Sequence, residues 1–415
     1  MFYHCTMACL GGREMDALKV LDKMDQIQIY YEPIYSADEH EIIAYEIIGQ
    51  LKDGDENYNI ETFTYDEQVP IEIRIEIENL LVKLAIERVK ENLQAVQLYV
   101  PCNPNLLMHD IGEGKLALLQ QLIEEEQLNQ ITLVLKEHLY KGDIKSLHHV
   151  VRYFKTYGIT FALSDVDEAS HLENILLLEP SVIKLNINQL NYNKWGASNP
   201  VFSTLRSLAF KIGASLLVEE IETSYQLHQG WKHGVRYYKG EYLEKPKQNF
   251  IERNTLKERF RNDCEQFITT ERKVLEQKYD RLKLLEREIL QAVEDVKPSS
   301  KSLPNLLQLA EKMQDFAFRI YICDEKGFQT TPNIIQRDDI WYEDEQAVGK
   351  NWSWRPYFLL NLIKLRNDLK GELSRSYIDI ETNELTRTFS LALKKNEYLF
   401  VDISYSYLYE HNIVQ

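Results

Sequence analysis

From residue 27 the chain alternates short runs of β-branched and aromatic residues with longer stretches whose apolar residues recur every three or four positions. The runs at 27–36, 41–49, 96–101, 131–136, 160–164, 181–186, 215–219 and 235–238 predict strands. The stretches at 77–89, 115–126, 144–157 and 201–212 predict helices with one buried face. Strand followed by helix, repeated over about 220 residues, predicts parallel strands joined by crossover helices. Eight strands make this an α/β chain with a closed (β/α)8 barrel, TIM-like, in which the first two strands read as a hairpin. In such barrels the chemistry sits at the C-terminal ends of the strands.

Between Pro246 and Pro298 there is neither Gly nor Pro, and Ile268, Leu275, Leu282, Ile289 and Val296 repeat every seven residues. This predicts a long connecting helix. A seam for a second copy, giving a homodimer, and a face packed within the chain fit that spacing equally. The run Lys297-Pro298-Ser299-Ser300 ends the helix. Beyond it, 318–323, 340–342, 373–380, 385–393 and 398–405 read as antiparallel strands with turns at 324–327 and 381–384, an α+β domain. The expected organisation is an ill-defined N-terminal segment at 1–24, a barrel at 25–250, a helical linker at 251–297 and a second domain at 298–415. The sequence Gly11-Gly12-Arg13-Glu14 before Met15 suggests that translation begins at Met15.

Charge narrows the function. The chain has 65 Asp+Glu against 48 Lys+Arg, a formal net charge of −17. Residues 1–250 alone carry 37 acidic and 23 basic side chains. That balance disfavours DNA as a partner. No run of about eighteen apolar residues is present, so no membrane insertion is expected. The five cysteines show no CxxC pair and no metal-ligand spacing, which fits reduced thiols and a cytoplasmic location.

Tyr31-Glu32-Pro33-Ile34, Tyr45-Glu46-Ile47-Ile48, Lys184 at a strand end, and Val218-Glu219-Glu220-Ile221-Glu222-Thr223 occur in the order and spacing of the EAL domain family. The chain resembles that family, whose (β/α)8 barrels hydrolyse cyclic di-GMP. The later run Asn351-Trp352-Ser353-Trp354-Arg355-Pro356-Tyr357-Phe358, with Ser376-Tyr377-Ile378-Asp379, resembles the PAS/Cache-like, EAL-associated signalling domain of YkuI-type proteins. The resemblance implies two divalent cations, Mg or Mn, that clamp a phosphodiester and activate water, which needs several oxygen ligands at the barrel mouth.

Residue by residue, the resemblance retains Glu46, Asp165, Lys184, Glu219 and Glu222. It loses three metal-binding oxygen ligands, at Pro101, Val134 and Ser164, and amidates a fourth acid at Asn186. On the scale of 10–100-fold for even outer changes at metal sites, three such losses compound to at least roughly a thousandfold. The expectation is therefore a pseudo-enzyme without metal or other cofactor, with Glu46 and Glu219 as residual metal candidates. The alternative is an active phosphodiesterase that yields linear pGpG with Mg or Mn. A structural ion pair of Lys184 with Glu219 or Asp165 is the favoured reading of that lysine.

For cyclic di-GMP itself, Gln50 stands where an arginine would meet phosphate, and Lys239 stands where a glutamine is usual and could replace that charge. Glu32, in place of another glutamine, adds an acid near the ligand. These changes favour a nucleotide-blind barrel that signals to a protein partner. In the C-terminal domain, Trp352, Trp354, Arg355, Tyr357 and Asp379 are candidates for a small charged ligand, against the plainer reading of a structural core.

Overall fold

The alternation of outward and inward residues along each strand explains how the first sheet closes. In the computed structural model, which describes residues 17–53, 56–166, 170–187, 200–355, 358–368, 370–394 and 396–413, the first nine strands are β1 (Gln28–Ser36), β2 (Ile42–Asp53), β3 (Glu56–Asn59), β4 (Gln97–Pro101), β5 (Ile131–Leu135), β6 (Thr160–Leu163), β7 (Val182–Asn186), β8 (Ser215–Glu219) and β9 (Tyr237–Tyr238). Their order is β1-β9-β8-β7-β6-β5-β4-β2-β3, and β1 also pairs with β2, which closes the barrel. All pairings from β2–β4 round to β8–β9 are parallel. Strand β1 runs antiparallel to both of its neighbours. The link from Ser36 to Ile42 is far too short for a crossover, so only a hairpin can form there.

Outward residues such as Tyr31, Leu133, Ile183, Leu216 and Val218 pack with the surrounding helices into one large core. Inward residues Ile34, Ala44, Tyr99, Val134, Ala162, Val182 and Leu217 fill the barrel with a separate apolar plug. The segment expected to be ill-defined is helical over Ala17–Asp22, and Val20 is buried in the outer core. Met15, Cys5 and Cys9 lie outside the described residues.

A 40-residue helix, Lys257–Val296, follows. The chain divides into two units between Phe267 and Ile268, inside this helix. Phe260, Cys264 and Phe267 belong to the barrel's core. Leu285, Ile289, Ala292 and Val296 belong to the core of the second unit. Ile268 and Leu275 are exposed.

The second unit is α+β. Strands β10 (Ala317–Cys323), β11 (Asn333–Arg337), β12 (Ile340–Asp344), β13 (Glu372–Leu373), β14 (Tyr377–Ile378), β15 (Leu385–Lys394) and β16 (Glu397–Ile403) form an antiparallel sheet ordered β12-β11-β10-β16-β15-β13, with β14 paired to β15. One face packs on the long helix and the helix Leu303–Lys312. The other carries Tyr321, Cys323, Phe358, Tyr398 and Phe400. Two details differ from expectation. The strand β11 is unforeseen, and the run 373–380 breaks into β13 and β14 around Ser374–Ser376. Cys102, Cys264 and Cys323 are buried free thiols. Among the described residues no helix is long and apolar enough to cross a membrane.

Candidate functional site

Five barrel strands repeat one device. Each supplies an apolar residue to the interior plug and, two residues nearer the barrel mouth on the same face, a charged one. The pairs are Ile34 with Glu32 on β1, Ala44 with Glu46 on β2, Val182 with Lys184 on β7, Leu217 with Glu219 on β8, and Tyr237 with Lys239 at the end of β9. Because β1 runs antiparallel, its mouth-side partner precedes the apolar residue instead of following it. Glu32 therefore lies directly opposite Glu46 across the β1–β2 ladder.

Three carboxylates and two ammonium groups meet on this layer. Lys184 Nζ lies 2.5 Å from Glu46 Oε1 and 3.1 Å from Glu219 Oε2. Lys239 Nζ lies 2.7 Å from Glu46 Oε2, 2.8 Å from Glu32 Oε2 and 3.0 Å from Glu219 Oε2. Glu46, Lys184 and Lys239 are buried. Burial would raise the Glu46 carboxyl, but Lys184 and Lys239 overcome it and hold the group down to about 2. Burial would likewise deprotonate Lys239, yet Glu32, Glu46 and Glu219 keep its ammonium well above the ordinary lysine range. Glu219 and Glu46 do the same for Lys184.

The backbone fixes Lys239 as firmly as its charges do. Its N–H donates to Val218 O at 3.0 Å, and its carbonyl accepts from Ile221 N–H at 3.2 Å. Gly240 makes this approach feasible. A Cβ there would lie 2.2 Å from Ile221 N and 2.4 Å from Ile221 O, and its φ is +146°.

The remaining predicted positions scatter. Asp165, at φ +54°, is half-exposed and pairs with Lys136 at 3.0 Å, which also holds Glu61 at 3.1 Å. Lys184 thus joins Glu219 and Glu46, while Asp165 has its own lysine. The Asn186 amide donates to Glu220. Glu222 is exposed, and its backbone N–H donates to Gln226. Gln50 sits four residues beyond Glu46 on β2, about 13 Å along the strand, opposite Gln28 and Asn59. Val134 is part of the interior plug. Pro101 ends β4, and Ser164 is buried with its N–H on Leu135 O. Lys239, a candidate for a ligand phosphate, is instead committed to three carboxylates. The acid added at Glu32 pairs with that same lysine at 2.8 Å.

These residues do not fit a pair of divalent cations. Positions 101, 134 and 164 carry no carboxylate, and Glu46 and Glu219 already hold two ammonium groups.

In the second unit, Asp379 is committed within the fold. It accepts from the Arg319 guanidinium and from the N–H groups of Glu381 and Thr382 at 3.0 Å each. Arg319 also meets Asp402 at 2.7 Å and Glu381 at 2.9 Å, a buried hub that the sequence did not single out. The Arg355 guanidinium lies 4.6 Å from the Trp352 ring, 5.9 Å from Trp354 and 5.6 Å from Tyr377, within cation–π range. Trp352 Nε1 donates to Gln329 at 3.0 Å, and Trp354 is exposed. Tyr357 lies outside the described residues. Lys136 and Arg319 are the partners missed from sequence. Each acts on residues distant in the chain, so no local pattern marks them.

Comparison with known proteins matches the chain to two family models, which meet ahead of the long helix and not within it. Residues 16–246 match the EAL domain model, and residues 250–415 match the model of the EAL-domain associated signalling protein domain. The EAL-domain containing protein YkuI of Bacillus subtilis (strain 168) is 38% identical over 403 residues, covering 96% of this chain and 99% of that protein. A crystal structure of B. subtilis YkuI in complex with the substrate c-di-GMP and calcium superposes with a TM-score of 0.89 at 37% identity, covering 97% of this chain and all of that one.

Proposed function

In a chain that belongs to the EAL domain family and carries the EAL-associated signalling domain behind its barrel, we propose a regulator of the cyclic di-GMP system that binds the nucleotide without hydrolysing it. The observation that carries this reading is the sharing of Glu46 and Glu219 between Lys184 and Lys239. In-line hydrolysis by two cations needs oxygen ligands free to hold them. Here Glu46 and Glu219 already have partners, and Pro101, Val134 and Ser164 supply no further carboxylate.

Binding is supported on two counts. The B. subtilis relative was crystallised with c-di-GMP. In addition, the two lysines reduce the formal charge of the three-carboxylate cluster to −1, which weakens the repulsion that a phosphodiester meets at the mouth. The second domain then supplies the regulatory input or output, to a protein partner or a small ligand.

Incubating the purified chain with cyclic di-GMP and Mg²⁺ or Mn²⁺ tests the catalytic half. Intact cyclic di-GMP on chromatography is the expected result. Linear pGpG forming at a rate that drops in Glu46→Ala would establish a phosphodiesterase instead. Calorimetric titration at micromolar protein tests the binding half. Saturable heat with one nucleotide per barrel is expected, and its absence would leave a nucleotide-blind interaction module.

A further inference from the structure

The geometry points to Lys239 as the resident cation of the barrel mouth, whose ammonium keeps divalent ions out. Three observations converge on it. Glu32 and Glu46 are direct cross-strand neighbours on the inward face, an arrangement that destabilises a sheet when both are charged and uncompensated. Lys239 Nζ lies within 2.7–3.0 Å of one oxygen from each of Glu32, Glu46 and Glu219. The same residue is pinned by two backbone hydrogen bonds and by the contact at Gly240 that tolerates no side chain.

Charge and size then decide the outcome. With both lysines in place the cluster carries a single net negative charge, and an added divalent ion would reverse it inside a buried layer. Remove the Lys239 ammonium and two charges are left uncompensated, which one divalent ion cancels. Hard cations take oxygen ligands at 2.3–2.6 Å for Ca²⁺. The three oxygens now gathered about Nζ need move inward by only a few tenths of an ångström to reach about that range. Lys184 holds the opposite oxygen of Glu46 and shares Glu219, so it orients these carboxylates for an ion as it does for the ammonium. The exclusion rests on this juxtaposition and deepens the non-hydrolytic reading given above.

The test is a titration of the full chain with CaCl₂ by calorimetry and with MnCl₂ by electron paramagnetic resonance, in the absence of nucleotide. The native protein is expected to show no saturation up to about 10 mM, and Lys239→Gln to bind one ion with a dissociation constant of about 10⁻⁴–10⁻³ M, as in weakly charged oxygen sites. Lys239→Arg, which keeps the charge, should exclude the ion like the native chain. Should Lys239→Gln fail to fold, its melting transition should return in CaCl₂ but not in KCl of equal ionic strength. Saturable binding by the native chain that Glu46→Gln abolishes would overturn the assignment. So would a Lys239→Gln variant that neither binds an ion nor is rescued by one. Neither readout involves cyclic di-GMP, so failure to bind or spare the nucleotide would count against the functional reading alone.

Discussion

Glu46 is a carboxylate that burial alone would neutralise, and two lysines keep it ionised. Removing one partner from such a buried network typically destabilises by about 3–5 kcal/mol, because the remaining charge is left uncompensated. The pH dependence follows from the direction of the shift. The carboxyl is depressed from 4.5 to about 2 on folding, so its stabilisation is complete above pH 4.5 and is lost as the pH falls toward 2. Scanning calorimetry between pH 5 and 2.5 should show the barrel's transition falling steeply, and Glu46→Gln should flatten that acid limb while lowering stability at pH 7. An unchanged limb in the variant would place the acid-sensitive group elsewhere. Little of this network could be read from sequence. Glu46, Lys184 and Glu219 are visible as strand-end charges, but the cluster joins residues as far apart as 138 positions (Lys184 with Glu46) and 207 positions (Lys239 with Glu32). Only the closed sheet brings them together.

At the scale of elements, runs of β-branched and aromatic residues carried the barrel strands, each of which has an outward face on the helices and an inward face on the plug. They missed β3, a four-residue extension of the β2 hairpin, and β11, whose inner residues are bracketed by Asn333 and Arg337. The heptad in the long helix was legible as a spacing but not as a destination. Its later members are buried by the second unit's core, with Ile289 fully covered and Leu282 partly so. Ile268 and Leu275 are exposed. Ile289→Ala should therefore lower stability by about 2–4 kcal/mol in urea unfolding. Leu275→Ala should change it by less than about 0.5 kcal/mol, as for an exposed position. A loss at Leu275 comparable to that at Ile289, together with a halved mass in light scattering, would instead identify the seam of a dimer. Leu282 is the poorer site for that test, because its substitution disturbs the chain's own core whether or not copies associate.

Each unit has its own hydrophobic clusters, an outer core and an interior plug in the barrel and one on each face of the second sheet, so a single cooperative unfolding is not expected. Calorimetry should resolve two transitions, with Ile289→Ala lowering one and Glu46→Gln the other; one merged transition shifted by both variants would refute this. The acidity concentrated in residues 1–250 also takes a different meaning at this scale. The mouth cluster accounts for one net negative charge, so nearly all of the barrel's excess lies outside that cluster.

The direct pairing of Glu32 with Glu46 couples position 32 to position 239. A glutamate at 32 without a lysine at 239 sets two charges face to face, and a lysine at 239 without it still finds two carboxylates waiting. The costs of Glu32→Gln and Lys239→Gln therefore do not add, and a double-mutant cycle reads that coupling directly.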